Sequence, residues 1–285
     1  MIKIGQALQE GTKAILNSGV GQTPLLDASL LLMKAANLTR PELYTHSEKL
    51  LTIDQYSHFK DLVTQRLNHH PIAYLIGYKE FYNLKFLVNE DVLIPRSDSE
   101  VLVEQTLDIL NNYTSPKVLD LATGSGALGI SVAYNNQSAK VTLADISSAA
   151  LQVAKQNSKS LLNYELEGVL SDLFSALQKR KFNTIITNPP YLSQSWYLDV
   201  EPQVKKEPQL ALIDEGEDGL TIIGKIVNQS PTYLEDGGVL LIECDMRQNN
   251  TVASLMKTRG FTNVSQRSDY ADKLRIVWGY WYEDA

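Results

Sequence analysis

Apolar and polar positions follow two different periods along this chain. Through the first seventy residues the period is helical. Ile4, Leu8, Ala14 and Ile15, then Leu25, Leu26 and Leu30 through Met33, recur so that each set lines one face. Asn17-Ser18-Gly19 breaks the first helix. Pro24 suits the first turn of a second, with Thr23 as its N-cap. Thr39-Arg40-Pro41 opens a short third helix. Thr52-Ile53-Asp54 opens a fourth that carries Phe59, Leu62, Val63 and Leu67. A small helical bundle with polar connections is expected.

At Pro71 the pattern changes. Short β-rich pieces over 73–77, 80–82 and 85–88, around Gly77 and Asn83, predict a hairpin that links two domains. From about Pro95 strand and helix patterns alternate. Strands are expected at 117–121, 140–144, 167–170, 182–187 and 238–243, and helices at 126–134, 147–161, 219–229 and 251–258. Two final strands are expected at 264–266 and 275–278. Such alternation implies an α/β fold with a parallel, doubly wound sheet. The expected division is 1–72 helical, 73–92 hairpin linker and 93–285 α/β domain.

Charge removes one class of function. The chain carries 26 basic and 33 acidic residues, a formal charge of −7. The first eighty residues are almost balanced, so the acidity lies in the α/β part, and no stretch forms a basic run. A protein that binds nucleic acid mainly through phosphates needs the opposite balance. The single cysteine, Cys244, excludes an internal disulfide and a multi-cysteine zinc site. No secretory signal and no spanning apolar run are present, which reads as a cytoplasmic protein without a membrane partner.

Three motifs carry the chemistry. Asp120-Leu121-Ala122-Thr123-Gly124-Ser125-Gly126 ends a strand in a small-residue turn that opens a helix. Ligands of open α/β sheets sit outside the carboxyl ends of strands, and small residues let the backbone approach them. Asp145 ends the next strand. Two uses fit it: accepting from both ribose hydroxyls of an adenosine-type cofactor, and capping the helix that begins near Ser147. A dinucleotide and S-adenosylmethionine both suit this pair. The third motif, Asn188-Pro189-Pro190-Tyr191, ends a later strand. Two prolines in series donate no backbone hydrogen bond and hold φ fixed. The Asn188 side-chain oxygen and the Pro189 carbonyl can then converge on one NH2 group, with Tyr191 as a flat wall. That pattern suits a planar, conjugated amino group, either a carboxamide or an exocyclic base amine. Two acceptors can orient it and favour the positive charge that develops on nitrogen. His46, His58, His69 and His70 all fall in or at the end of the helical region. His69-His70 reads as a helix end rather than a metal site, so no metal is expected.

The Asn-Pro-Pro-Tyr tetrapeptide and the Asp-x-x-x-Gly-x-Gly turn resemble those of class I S-adenosylmethionine-dependent methyltransferases. The chain is similar in particular to the HemK/PrmC family, which methylates a glutamine side-chain nitrogen in peptide chain release factors. The resemblance spans nearly the whole chain. It includes Pro71-Ile72-Ala73-Tyr74-Leu75-Ile76-Gly77, Glu80-Phe81-Tyr82, Ile94-Pro95-Arg96-Ser97-Asp98-Ser99-Glu100, Ser171-Asp172-Leu173-Phe174 and Glu207-Pro208-Gln209-Leu210-Ala211-Leu212. It implies a Rossmann-like, mostly parallel sheet with an antiparallel end strand, and an N-terminal helical domain that recognises the substrate.

Carried over by position, Ala122, Thr123, Gly124, Ser125 and Gly126 would line the methionine end of S-adenosylmethionine. Asp145 would hold the ribose, and Asp172 and Leu173 would lie by the adenine. Asn188, Pro189, Pro190 and Tyr191 would bind the target glutamine, with Asn188 also beside the cofactor; Asn188, Pro189 and Tyr191 are the catalytic set. The product would be S-adenosylhomocysteine. Residues 94–100 would lie over the site, with Arg96 and Glu100 each suited to an ion pair there. The chain departs from the family at Ala122, where glycine is usual, at Leu173, which replaces an aromatic of some members, and at Ser97, which replaces proline. Glu243-Cys244-Asp245 lacks a usual glycine, while Gln248 fits the next position. The resemblance implies release factors as partners, most simply of a monomer. Alternatives are a glutamine of a ribosomal protein, an adenine-N6 nucleic-acid target, and a cofactor-binding docking module without catalysis; an oxidoreductase leaves the Pro-Pro pair unexplained.

Overall fold

The computed structural model describes residues 2–283. The chain divides into two compact units. One comprises the chain through Tyr78 together with Glu201–Lys206; the other comprises Lys79–Val200 and Glu207 onward.

The first unit holds five helices: α1 Ile4–Ser18, α2 Pro24–Ala36, α3 Arg40–Thr45, α4 Ile53–Leu67 and α5 Ile72–Ile76. Their apolar faces bury Ile4, Ile15, Leu31, Leu32, Leu43, Phe59 and Leu62 in one core. Thr39 with Glu42, and Thr52 with Gln55, form capping boxes that start α3 and α4. Thr23 departs from expectation. Its hydroxyl donates to Asp27 Oδ1 at 3.0 Å instead of capping α2. Asp27 in turn takes the buried Arg66 guanidinium at 2.8 Å, and Arg66 also donates to the carbonyl of His70 and to Gln203. Residues 72–76 are a second correction. They form α5 rather than a β piece, because Ile72, Leu75 and Ile76 pack on the helical core and Gly77, at φ +86°, ends the turn.

Two short strands follow, β1 Tyr78–Phe81 and β2 Leu84–Leu87. Tyr82 and Asn83 both take positive φ, as a two-residue hairpin loop requires. The second unit then runs α6 Glu100–Leu110, β3 Lys117–Leu121, α7 Ala127–Asn135, β4 Lys140–Asp145, α8 Ser148–Leu162 and β5 Glu167–Leu170. It continues with β6 Phe182–Thr187, α9 Gln194–Leu198, α10 Thr221–Gln229, β7 Leu234–Glu243, α11 Asn249–Arg259, β8 Thr262–Ser268 and β9 Leu274–Trp281. Its sheet has the order β5-β4-β3-β6-β7-β9-β8. The first five are parallel; β9 lies between β7 and the edge strand β8, antiparallel to both.

Each inner strand buries both faces. Val118, Leu143, Ile186, Val239 and Leu241 join the core shared with α6, α7 and α8. Leu119, Leu121, Ile185, Leu240 and Ile242 join the core shared with α10 and α11. The strand order reverses between β3 and β6, the place where open α/β sheets form a ligand crevice. Register aligns the strand ends there. Val169, Ala144, Leu121, Thr187 and Ile242 pair across the sheet, so Leu170, Asp145, Ala122, Asn188 and Glu243 each follow directly after this row.

Candidate active site

The loops leaving β3, β4, β5 and β6 line one cavity of about 370 Å³. Of the site residues expected from sequence, Ala122, Thr123, Gly124, Ser125, Asp145, Asp172, Leu173, Asn188 and Pro190 line it. Gly126, Pro189 and Tyr191 are not among the lining residues. Gly126 turns the chain into α7 at φ +82°, where a Cβ would meet Ile130 at 2.5 Å. Pro189 is buried, and Tyr191 packs on the core beneath α10 and α11. Burial also pushes the Tyr191 hydroxyl pKa upward, so it stays protonated.

Asp120 ties the glycine turn to the helix behind it. Its Oδ2 accepts from Thr123 Oγ1 at 2.6 Å and from the Gly129 N–H at 2.8 Å. Its other oxygen is buried with no partner, and burial raises the carboxyl to about 7. At Gly124, with φ +55°, a Cβ would meet nothing within 4 Å, so this backbone borders open space. Asp145 Oδ2 accepts from the Gly124 N–H at 2.8 Å, and Oδ1 from the Ser147 N–H at 2.9 Å. Ser147, not Asp145, caps α8 through the Ala150 N–H. An ionised carboxylate has further lone pairs, so Asp145 keeps acceptor capacity for hydroxyls in the cavity. Burial nevertheless pushes its pKa up, against the N–H groups that lower it.

Asn188 lies on the opposite side of the strand-order reversal, one residue past the Leu121–Thr187 pair. Its Nδ2 donates to Ser99 Oγ at 3.2 Å. Glu243, at the end of β7, is buried, and burial raises its carboxyl to about 7. The chain after Tyr191 is clamped by Gln248, whose Nε2 donates to the carbonyls of Tyr191 at 2.9 Å, Asp218 at 2.8 Å and Gly219 at 3.1 Å. At Gly219 a Cβ would stand 2.0 Å from the Tyr191 carbonyl oxygen. Asp91, Val92, Leu93, Pro95, Arg96 and Ser99 line the cavity from the segment before α6. Glu207 holds that segment by accepting from the Ile94 N–H and from the Arg96 guanidinium. Glu100 makes no such ion pair; its Oε1 accepts from the Tyr82 N–H.

The wall suits a cation and an adenosine. Asp91, Asp145, Asp172 and Glu215 outnumber Arg96 and Lys225 around the cavity, and Leu121, Leu128, Leu173 and Ile146 supply apolar surface. A sulfonium cofactor with a ribose and a flat base matches that mixture better than a diphosphate does.

Comparison with known proteins agrees. The Methyltransferase small domain family matches residues 97–217, and the PrmC N-terminal domain family matches residues 6–77. A release factor glutamine methyltransferase of Rhodopirellula baltica is 40% identical over 282 residues, 95% of this chain and 94% of that protein. One from Shewanella oneidensis is 35% identical over 90% of this chain and 89% of its own length. The chain belongs to the release factor glutamine methyltransferase family. Among solved structures, a methyltransferase from Pyrococcus furiosus aligns with TM-score 0.50 and 15% identity, over 69% of this chain and 88% of that one. A T. thermophilus 16S rRNA methyltransferase in complex with AdoMet and guanosine aligns with TM-score 0.52 and 17% identity, over 71% of this chain and 49% of that one. Both likenesses concern the fold, which is that of a class I methyltransferase.

Four supporting residues have a place in the structure to which the sequence alone assigns no role. Asp120 was visible only as the first letter of the turn motif. Asn157 of α8 bonds Ser125 O at 2.8 Å and both backbone groups of Leu87. Gln248 reaches the tetrapeptide through the Tyr191 carbonyl, and Glu243 ends β7, the strand beside β6.

Proposed function

We propose that the chain methylates the side-chain amide nitrogen, N5, of the glutamine in the Gly-Gly-Gln loop of peptide chain release factors. One observation carries the reading: Asn188 borders the cavity with its Nδ2 committed to Ser99, which leaves Oδ1 as the atom available to a substrate amide. S-adenosylmethionine, when bound, supplies a methyl group on a positively charged sulfur. Ala122, Thr123, Gly124, Ser125 and Gly126 form the small-residue turn for its methionine end, Asp145 takes the ribose hydroxyls, and Asp172 and Leu173 border the base.

The remaining work falls to the chain's own acceptors. An amide nitrogen is a poor nucleophile because its lone pair is delocalised. Asn188 Oδ1, which borders the cavity, accepts from its N–H, turns its face toward the cofactor side, and favours the positive charge that forms as the N–C bond is made; the Pro189 carbonyl, expected as a second acceptor, belongs to a buried residue outside the cavity wall. The extra proton then leaves to water. Pro190 and Tyr191 keep the tetrapeptide rigid; Tyr191 does so from within the core.

The helical domain, residues 1–72, followed by the 73–92 linker, recognises the release factor, because one amide pocket offers too little surface for a specific protein complex. The acidic balance supports a protein rather than a nucleic-acid target. Among the described residues no helix is long and apolar enough to cross a membrane. Action on a translation factor as a cytoplasmic monomer fits these features.

Two measurements test the reading. Incubation with a purified release factor and S-adenosylmethionine, followed by tandem mass spectrometry, should place one methyl group on the Gly-Gly-Gln glutamine. Asn188→Ala should lower kcat about 100-fold or more while cofactor affinity by calorimetry stays close to wild type. Unchanged turnover in that variant would remove Asn188 from the chemistry.

A further inference from the structure

Two stretches of loop complete the cavity beyond the strand ends. Leu93, Pro95 and Arg96 come from the stretch before α6, and Pro208, Leu210 and Ala211 from the stretch after α9. The second stretch is tied to the residue after the tetrapeptide. The Leu192 N–H donates to the Leu212 carbonyl at 3.0 Å, and the Asp214 N–H to the Leu192 carbonyl at 2.9 Å. One side chain joins the two stretches. Glu207, directly before Pro208, accepts from the Ile94 N–H at 3.0 Å through one oxygen and from the Arg96 guanidinium through the other.

This joint is lopsided. The Glu207 side chain is 2% exposed and that of Arg96 is 36% exposed. A buried carboxylate is costly to strand, but Glu207 keeps the Ile94 N–H whatever Arg96 does. The guanidinium already reaches water and can swing out with its charge solvated. Apolar packing anchors the same stretch elsewhere, at Val92 and Ile94. Past Arg96 it is held separately, at Asp98 by Arg275 and at Ser99 by Asn188. The Arg96 contact can therefore break and re-form while its surroundings stay in place.

We propose that Arg96 and Glu207 form a latch between the two stretches, and that its opening sets how fast the cofactor enters and leaves. This rests on the assignment of the cavity to the cofactor. S-adenosylmethionine must come in and S-adenosylhomocysteine go out once per turnover, so one wall of a site that buries most of its ligand has to yield. The sheet cannot supply that wall, because β3, β4 and β6 each have a strand on both sides. The loop stretches can. Both partners of the latch belong to the chain, so it alters the barrier to exchange rather than the affinity.

The test uses the full chain and S-adenosylhomocysteine, with stopped flow for the two rates and calorimetry for Kd. Arg96→Ala should raise association and dissociation rates together, each about 10-fold, with Kd within about threefold of wild type. Arg96→Lys, which keeps the charge, should fall between the two. Glu207→Gln keeps an oxygen for the Ile94 N–H and should also speed exchange. The double variant Arg96→Ala, Glu207→Gln should be no faster than the faster single one. Single-turnover methylation at saturating cofactor should stay within about threefold of wild type in Arg96→Ala, since Asn188 keeps its place. Wild-type exchange rates in Arg96→Ala would overturn the latch. So would faster departure with unchanged entry, which marks a direct cofactor contact, and so would additive effects in the double variant. Should Glu207→Gln fail to fold, the two Arg96 variants decide by themselves. Absence of binding by the wild type would overturn the cofactor's place in the cavity and the latch with it. The rates need no protein substrate, so they decide the latch whichever protein is methylated.

Discussion

Ala122 sits at φ +58°, in the left-handed region that costs a residue with a Cβ about 1–2 kcal/mol. The turn needs that conformation to bring Gly124 and its N–H to Asp145. The alanine noted as a departure from the family is thus a strained substitute for glycine. Ala122→Gly should raise stability by about 0.5–1 kcal/mol, the relief of strain exceeding the added flexibility of the unfolded chain. Urea unfolding with and without cofactor checks it, and cofactor affinity should be retained. At this scale the sequence made the motif residues legible, because Asp145, Gly124 and Asn188 stand in short contiguous patterns. Ser99 is not legible as a partner of Asn188: it comes from a helix start that lies 89 residues before it, and nothing local marks the contact.

At the scale of elements, the sheet was readable because each inner strand is a short apolar run bounded by a turn, and β3, β5 and β6 fall where expected. Two helices escaped notice. In α6, Val101, Leu102 and Val103 are all buried, so no helical stripe shows against a polar background. The five-residue α9 is too short to have a period at all. The piece over 73–77 reads as β-rich by composition, whereas packing decides for a helix over 72–76. The loop that follows the Asn-Pro-Pro-Tyr tetrapeptide is held by an element far from it, through Gln248 before α11. Gln248→Leu would leave the Tyr191, Asp218 and Gly219 carbonyls without their shared donor. A loss of about 2–3 kcal/mol is expected, read as a lower urea midpoint, with kcat falling more than cofactor affinity.

For the whole molecule, buried acids set how stability depends on pH. Asp120 and Glu243 both titrate near 7 in the folded chain and in the ordinary range, about 4, when unfolded. A raised carboxyl pKa means the folded state holds protons that the unfolded state has released. Stability from these groups is full below about pH 4 and is lost as pH rises to about 7. Asp120→Asn removes one of them while its amide oxygen can still accept from Thr123 and Gly129. The urea midpoint of the variant should therefore gain on wild type between pH 4 and 7, and the gain should level off above that. A constant difference across the range would show that Asp120 does not titrate there.

The aligned strand ends make the sheet a ruler for the site. Asp145, Ala122, Asn188 and Glu243 owe their places to where β4, β3, β6 and β7 stop, counted from shared pairs deep in the sheet. One residue added inside β6 would carry Asn188 past the edge and point it at the wrong face, however well the loop were repaired. The same residue added after Tyr191 would leave the count intact. Residues added in the loops beyond these four strand ends would thus lengthen the chain while the spacing of the site stays unaltered.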